Sequence, residues 1–229
     1  MPSKARQSHY TVRQCACGAA QAADLWEKFG IVERFDRLWT QDGRLLRLPQ
    51  EDCCQALSVV PSRKYQSDGG PGIEAILRML RGSDTPAEDQ RIFLKAAIAF
   101  RLLGATDGHA KNFSVFLLPG GRFHITPLYD VISAQPSVDA NQTRHNQFRL
   151  AMAVGDNRHY IMKTIAAQHF IQTANRAGIG EKVVVSIFDE LRGTAERAID
   201  REATKLPKGY PMEVAESIIS GMKRRLRLI

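Results

Sequence analysis

The sequence predicts an α+β domain that is mostly α-helical and carries two small β-hairpins. Apolar residues recur at helical spacing over several long stretches, the clearest of which runs from about residue 86 to residue 103. Two other stretches have the apolar pattern of short strands, and each contains a turn signal, Asp42-Gly43 in the first and Gly120-Gly121 in the second. No repeat of about 20–50 residues is evident, so a repeat architecture is excluded.

Composition places the chain among ordinary globular proteins. Its 229 residues allow one large domain or one and a half. A hydrophobic content of 44% and a charged content of 24% are typical of a soluble protein. The chain has no apolar run of about 18 residues, so no membrane span is expected. The basic N-terminus lacks the apolar segment of a secretory signal.

The cysteines and the net charge indicate the compartment and the kind of partner to expect. The four cysteines (Cys15, Cys17, Cys53 and Cys54) have neither zinc-site spacing nor good disulfide geometry, so reduced thiols in a cytoplasmic protein are expected. The formal charge of +8 favours an acidic partner such as nucleic acid or a nucleotide, although a solvated basic surface would carry the same charge.

The first third of the chain is predicted to run from a lead-in into a hairpin and two short helices. Residues 1–30 are basic and poor in periodic apolar positions, with one short helix plausible over Ala19–Phe29. The stretch IVERFDRLW, starting at Ile31, pairs with RLLRL across the Asp42-Gly43 turn; its internal charges indicate an edge or a functional surface. Residues 49–82 then hold two short helices, one in PQEDCCQAL and one over Ile73–Arg81, joined by the loop SRKYQSDGGPG.

A strong helix is predicted over residues 86–103. Thr85 is the expected N-cap, Pro86 occupies the first helical position, and Glu88 completes a capping box. Gly104 ends the helix. The helix therefore delivers the chain directly to Asp107.

The second half is predicted to contain one hairpin and three helices. Phe113–Leu118 and Arg122–Thr126 form the hairpin, and a polar loop follows through residue 147. Helices are predicted over about 160–177, 181–204 and 212–226.

The richest chemistry lies between Asp107 and Asp130. The hairpin brings Asn112 and Asp130 to its open base, and Asp107 precedes Asn112 by five residues. Two carboxylates and an amide oxygen are hard ligands that suit a magnesium ion bound to phosphate oxygens, and a carboxylate beside it can accept a hydroxyl proton. Caps and Asx-turns would use the same residue types. His109 could face a phosphate or hydrogen-bond a loop carbonyl.

The spacing Asp-x-x-x-x-Asn is that of the protein-kinase catalytic loop, and Asp130 stands where the metal-binding Asp of the D-F-G motif stands. Val131-Ile132 replaces the Phe-Gly of that motif, and Ala105-Thr106 replaces the His-Arg that precedes the catalytic Asp. The typical protein-kinase family is therefore excluded.

The amino-acid sequences of several segments resemble those of the HipA-like toxin kinases of bacterial toxin–antitoxin pairs. The segments that carry the resemblance are, in chain order, VERFDR, LRLPQED, KYQSDGGPG, LLGATDGHAKNFSVF, ITPLYDVISAQP and AMAVGDNRHY. Together they cover about residues 31–229, which are identified as a HipA-like C-terminal kinase domain: a protein-kinase-like C-lobe with a catalytic-loop hairpin and a hinge-strand hairpin.

The resemblance implies a serine/threonine kinase that transfers the γ-phosphate of ATP with Mg²⁺. Asp107 is implied as the catalytic base, and Asn112 and Asp130 as the metal ligands. The residues implied to line the ATP phosphates and the metal are His109, Ala110, Lys111, Asn112, Tyr129 and Asp130. Glu33, Arg34 and Phe35 are implied to form the hinge strand that meets adenine. The partners implied are a small helix-turn-helix antitoxin, operator DNA through it, and a protein substrate linked to translation; no membrane partner is implied.

The sequence departs from the family at its start. The residues before Ile31 contain no Gly-rich phosphate loop and no Lys in an apolar strand. We therefore expect a truncated kinase that is weak or inactive alone, either a degenerate remnant or one half of a split enzyme completed by a separate N-lobe chain. The alternative is a non-catalytic module that binds an antitoxin or DNA. A metal-dependent phosphatase is a third, weaker possibility.

Overall fold

A computed structural model describes residues 34–206 and 208–229 of the chain, and Phe35–Ile229 form one compact unit. The predicted lead-in, the helix over Ala19–Phe29 and the hinge residue Glu33 lie outside the described residues. The helices are α1 Cys53–Ala56, α2 Ile73–Leu80, α3 Pro86–Leu103, α4 Gln135–Asp139, α5 Ala167–Arg176, α6 Glu181–Ala203 and α7 Met212–Leu226. The strands are β1 Arg37–Trp39, β2 Leu45–Arg47, β3 Gln50–Asp52, β4 Ser114–Leu118, β5 Arg122–Ile125, β6 Arg149–Val154 and β7 His159–Ile161.

The strands form three small antiparallel sheets. Strands β1 and β2 pair across the Asp42-Gly43 turn, with Leu38 opposite Leu46. Strand β4 lies between β3 and β5, and strands β6 and β7 form a separate pair. Both predicted hairpins are therefore confirmed, although the first begins at Arg37, so Phe35 lies in a turn and Arg34 in irregular backbone rather than in a strand.

Two strands occupy positions predicted to be helical. Gln50–Asp52 forms β3 because it pairs with the free edge of β4, placing Glu51 opposite Val115. The predicted helix over 160–177 begins only at Ala167, because His159–Ile161 pairs with β6 instead. The partner of β3 lies more than 60 residues away, so local propensity cannot anticipate that strand. Strand β7 instead pairs with β6 across a short hairpin in which Val154 lies opposite His159.

Helix α3 is the centre of the hydrophobic core. Phe93, Leu94 and Ile98 on it are completely buried, and the helix packs against α2, α6 and α7. The helix has the predicted bounds, and Gly104 ends it in the left-handed conformation with φ of 70°. The predicted capping box was wrong: the Thr85 side chain makes no capping hydrogen bond, and its ψ of 68° departs from the extended backbone of an N-cap residue.

Two arginines are buried where α3 meets α7. Arg101 donates to the carbonyl oxygens of Arg225 at 3.1 Å and Ile165 at 2.5 Å. Arg225 donates to the carbonyl of Leu102 at 2.9 Å and to Oε1 of Gln135 at 2.6 Å. Burial lowers the pKa of each guanidinium to about 10. Arg225, which the sequence suggests as part of a basic tail, therefore ties α7 and α4 to the end of α3.

Helix α4 was not predicted, since its sequence reads as part of a polar loop. It packs against α7, and Gln135 at its start is 2% exposed. None of the helices within residues 34–206 and 208–229 is long and apolar enough to cross a bilayer.

Candidate active site

The loop after α3 is anchored at its start, before it reaches Asp107. The amide of Ala105 donates to the carbonyl of Phe100 at 2.8 Å, and Ala105 also forms an isolated antiparallel bridge with Ser133. The Ser133 hydroxyl donates to the carbonyl of Leu103 at 2.6 Å. The residues that follow Asp130 thus pin the start of the loop that carries Asp107.

Asn112 joins Asp107 and Asp130, as the hairpin geometry predicts. Its Nδ2 donates to the backbone carbonyl of Asp107 at 2.8 Å and lies 3.4 Å from Oδ2 of Asp130. Because the amide nitrogen is committed to these oxygens, the orientation of the side chain is fixed, and its amide oxygen is the atom left for a cation. The structure therefore brings the three predicted residues together.

Asp130 has an uncommon backbone conformation. Its φ is 55°, in the left-handed region that few non-glycine residues adopt, although Asp is among those that tolerate it. Its side chain is exposed. A strained, exposed carboxylate beside Asn112 is typical of a functional position rather than a packing position.

The carboxylate of Asp107 is half exposed, at 52% of its side-chain surface. Its Oδ1 accepts a hydrogen bond from the hydroxyl of Tyr65 at 2.6 Å and lies 3.6 Å from Nε2 of His109. No hydrogen bond to Oδ2 is present among the described residues. One oxygen of the predicted base is therefore held, and the other is available.

His109 lies beneath this carboxylate and is only 3% exposed. Burial lowers the pKa of its imidazole, and Lys64 acts in the same direction, so the ring is neutral at pH 7. It packs edge-on against the Tyr65 ring, with centroids 5.0 Å apart. Of the two roles that the sequence left open, the bond to a loop carbonyl is wrong, because within the described residues the ring nitrogens make no hydrogen bond. The contact with a phosphate stays a prediction.

Tyr65 is the site residue that sequence reasoning missed. It precedes Asp107 by 42 residues and lies in the Gly-rich loop between α1 and α2, where no periodicity or spacing marks it. The hydrogen bond to Asp107 raises the pKa of the Tyr65 phenol to about 12, and burial adds to that shift. The only feature of the sequence that marks Tyr65 is its place in the motif KYQSDGGPG, which resembles the HipA-like kinases but does not indicate a contact with Asp107.

The remaining predicted residues surround the β3–β4–β5 sheet. The Tyr129 hydroxyl donates to the carbonyl of Lys111 at 2.8 Å and contacts the Ser114 hydroxyl at 2.6 Å. Burial raises the pKa of Tyr129. The Phe35 ring packs against that of Tyr129 with centroids 5.7 Å apart, so the turn before β1 reaches the residue that precedes Asp130. Ala110 is completely buried.

An open cleft of about 410 Å³ adjoins the free side of Asp107. Three parts of the chain contribute to its walls: the turn at 65–68, the loop at Thr106–Asp107, and strands β6 and β7 through residues that include Arg149 and Tyr160. Its surface is mostly polar. A polar cleft that opens on a half-exposed carboxylate can admit a hydroxyl group to that carboxylate.

Within the described part of the chain, no group of three or more His, Cys, Asp or Glu side chains forms a ready metal cage. Asn112 and Asp130 nevertheless fit Mg²⁺, which keeps several water ligands and is commonly held by one or two protein oxygens together with phosphates. The donor set would be one amide oxygen and one carboxylate, and the magnesium site stays a prediction of the sequence.

Comparison with known proteins identifies the family. The family described as the HipA-like C-terminal domain matches residues 5–199. The chain belongs to the HipA-like family. It is 34% identical over 174 residues to the protein named "Putative kinase Y4mE" of Sinorhizobium fredii, a match that covers 76% of this chain and 39% of that protein.

Two further comparisons, one of sequence and one of structure, are with a protein named HipA. The serine/threonine-protein kinase toxin HipA of Shewanella oneidensis is 28% identical over 188 residues, which cover 77% of this chain and 41% of that protein. The solved structure of Shewanella oneidensis MR-1 HipA with HipB and operator DNA superposes with a TM-score of 0.70 at 25% identity, over 85% of this chain and 46% of that chain. The fold is accordingly the predicted α+β, kinase-like C-lobe. The HipA-like chain spans about two fifths of the length of the relatives it matches.

Proposed function

We propose that this chain supplies the base and the metal ligands of an ATP-dependent serine/threonine protein kinase. The observation that carries the proposal is the convergence of Asp107, Asn112 and Asp130, in which Asn112 bonds to Asp107 at 2.8 Å and lies 3.4 Å from Asp130. Kinase catalytic sites use the same three residue types in the same chain order.

In the proposed reaction, Asp107 accepts a proton from a serine or threonine hydroxyl. The hydroxyl oxygen forms a bond to the γ-phosphorus of ATP, the bond from that phosphorus to the oxygen it shares with the β-phosphate breaks, and the proton passes to the carboxylate. Partial exposure of Asp107 on the polar cleft suits this role, because the base must meet a hydroxyl that arrives from another protein.

Asn112 and Asp130 would hold Mg²⁺, which when bound neutralises charge on the ATP phosphates. Lys111 and Tyr129 are proposed to line the phosphates, and the hydrogen bond from the Tyr129 hydroxyl to the Lys111 carbonyl holds the two residues together. His109 and Ala110 are buried and support this loop from below. The adenine contact of residues 33–35 stays part of the proposal, with the packing of Phe35 on Tyr129 as its support.

We propose that the groups that grip the phosphates from the opposite side are supplied by a separate segment. No Gly-rich phosphate loop and no Lys in an apolar strand precede Ile31, and such a loop and its strand Lys supply a major part of phosphate stabilisation. The β1–β2 hairpin supports this proposal, because Trp39 is 56% exposed and Leu45 is 49% exposed. An apolar hairpin in water is a surface that another part of a protein normally covers.

For partners, we propose a small helix-turn-helix antitoxin, with operator DNA reached through it. Support comes from the Shewanella oneidensis structure, which contains HipA, HipB and operator DNA and matches 85% of this chain. The +8 charge is compatible with an acidic partner. A protein linked to translation is the proposed substrate class. The non-catalytic alternative, an antitoxin-binding or DNA-binding lobe, keeps these partners and omits the reaction.

The test is complementation. Residues 35–229 are fused to the N-terminal part of Shewanella oneidensis HipA that this chain does not match, and Mg²⁺-dependent transfer of phosphate from ATP to protein is measured. We expect no turnover by the natural chain alone and measurable transfer by the chimera. Asp107→Asn, which keeps the shape and removes the base, should lower the rate roughly 10²–10⁴-fold.

Asp130→Asn is the second variant, and it should weaken Mg²⁺ dependence rather than remove the base. The surface variant Asp84→Asn, at a carboxylate that pairs with Arg122 away from the site, is the matched control. Full activity of the Asp107→Asn chimera would refute the base assignment. ATP turnover by the natural chain alone, abolished by Asp107→Ala, would refute the need for outside groups.

A further inference from the structure

The contact between Tyr65 and Asp107 is a specific hydrogen bond and not only a packing contact. A phenol donates to a carboxylate oxygen at 2.6 Å, which is a short, charge-assisted hydrogen bond. It joins two loops that are far apart in sequence, at the one carboxylate to which we assign proton transfer.

Tyr65 is itself held firmly. Its carbonyl accepts from the amides of Asp68 at 3.1 Å and Gly70 at 2.9 Å, which closes a tight turn. A side chain at Gly70 would put its Cβ 2.0 Å from the carbonyl oxygen of Arg63, so the backbone of the turn is closely packed at this position. On its ring face Tyr65 packs edge-on against buried His109.

The turn is also tied to the opposite wall of the cleft. The side-chain oxygen of Gln66 accepts from the amide of Ala153 on β6 at 2.7 Å. The turn that carries Tyr65 is therefore hydrogen-bonded to β6. Because the carboxylate of Asp107 is half exposed, its hydrogen bond to the Tyr65 hydroxyl gives it a defined position.

We propose that Tyr65 is a positioning residue for the base: its hydroxyl fixes Oδ1 of Asp107 and leaves Oδ2 for the acceptor hydroxyl of a polypeptide lying in the cleft. This inference rests on the proposed function. A base held in one orientation reacts faster because less freedom is lost when the acceptor arrives. Since its phenol stays protonated at neutral pH, Tyr65 acts only as a donor to the carboxylate.

The structural part of the proposal is tested without any catalysis. The ionisation of Tyr65 is measured as a function of pH by ultraviolet absorbance. The absorbance of the Tyr65→Phe variant is subtracted from that of the natural chain. The Tyr210→Phe variant, which lacks an unrelated hydroxyl, is the control. The same difference is then measured in an Asp107→Ala background. Circular dichroism at each pH confirms that the chain remains folded.

At pH 11 roughly a tenth of Tyr65 should be ionised in the natural chain and about nine tenths in the Asp107→Ala background, where the phenol returns toward its ordinary pKa of about 10. Identical titration in the two backgrounds would overturn the proposal, because the hydrogen bond would then be absent in solution.

The catalytic part is tested in the chimera described above. Tyr65→Phe retains the ring that packs on His109, and it should lower kcat about 10-fold, as expected for loss of a hydrogen bond to a charged group, with the KM for ATP unchanged. In the Asp107→Asn background the same substitution should have no further effect. A rise in kcat would refute positioning, since it would mean that the phenol competes with the acceptor hydroxyl.

A different experimental result would show that the proposed kinase function is wrong. If the chimera carrying natural Tyr65 and Asp107 transfers no phosphate, the kinase proposal fails, while the absorbance titration still decides whether Tyr65 holds Asp107.

Discussion

Replacement of Gly104 by alanine should be much more costly than replacement of Gly120, a left-handed glycine whose side-chain position is open space. Gly104 ends α3 with φ of 70°, and a Cβ there would lie 2.8 Å from Cζ of Phe148 and 3.0 Å from a guanidinium nitrogen of Arg225. Both neighbours are buried, so neither can move freely. The residue also bonds through its carbonyl to the amide of Ala134 at 2.9 Å.

The magnitude has two parts. A left-handed non-glycine residue costs about 1–2 kcal/mol, partly offset by about 0.4–1 kcal/mol of lost unfolded-state freedom. Overpacking against Phe148 and Arg225 adds about 1–3 kcal/mol. We therefore expect Gly104→Ala to lower the free energy of unfolding by roughly 2–4 kcal/mol.

Gly120→Ala is the matched control. Gly120 has φ of 80°, but a Cβ there would meet nothing within 4 Å. It should therefore show the backbone cost alone, about 1 kcal/mol. Urea denaturation followed by circular dichroism measures both variants. If their free energies of unfolding agree within about 0.5 kcal/mol, the packing argument is refuted.

Two further predictions concern buried titratable groups. With the two N-terminal cysteines replaced by serine, Cys53 and Cys54 should not react with a thiol reagent at pH 8 until the chain unfolds. Each is 1% exposed, and burial raises the pKa of Cys53 to about 12; rapid labelling of the native chain would contradict this. The second prediction is that stability falls as pH drops below about 6.5 and falls less in His169→Gln. Burial, then the stacked His159, lowers the pKa of His169, so the unfolded chain binds the proton at higher pH than the folded chain. Glutamine can still accept from the Ala166 amide, as His169 does at 3.1 Å. Denaturation curves from pH 5 to 8 measure the slope, and equal slopes for the two proteins would contradict the prediction.

Local signals were sufficient for the elements that carry the predicted site. The apolar stripe of α3 and the glycine after it fixed that helix to its observed bounds. The apolar run of β4 and the Gly-Gly turn identified the hairpin, and the hairpin in turn required Asn112 and Asp130 to meet. These features depend on interactions within about 30 residues, which one sequence encodes directly.

Features that depend on contacts between residues far apart in the sequence could not be predicted in the same way. Strand β3 exists because β4 offers a free edge more than 60 residues later, and its own sequence resembles the start of a helix. Arg225 looks like part of a solvated basic tail, yet it is 7% exposed and braces the end of α3. Neither the net charge nor the local sequence pattern indicates which basic side chain will be buried and hydrogen-bonded to backbone carbonyl oxygens in the core.

The sequence by itself indicated the family, through several segments that resemble HipA-like kinases. It also determined the mostly helical α+β class and the meeting of Asp107, Asn112 and Asp130, because these rest on residue types at short, fixed spacings. Only the tertiary structure decided how that trio is supported. It placed Tyr65 against the carboxylate of Asp107 across 42 residues, buried His109 beneath that carboxylate, and opened a polar cleft beside it. The physical reason is that hydrogen bonds and burial between distant loops depend on the packing of the whole domain, which no local pattern specifies.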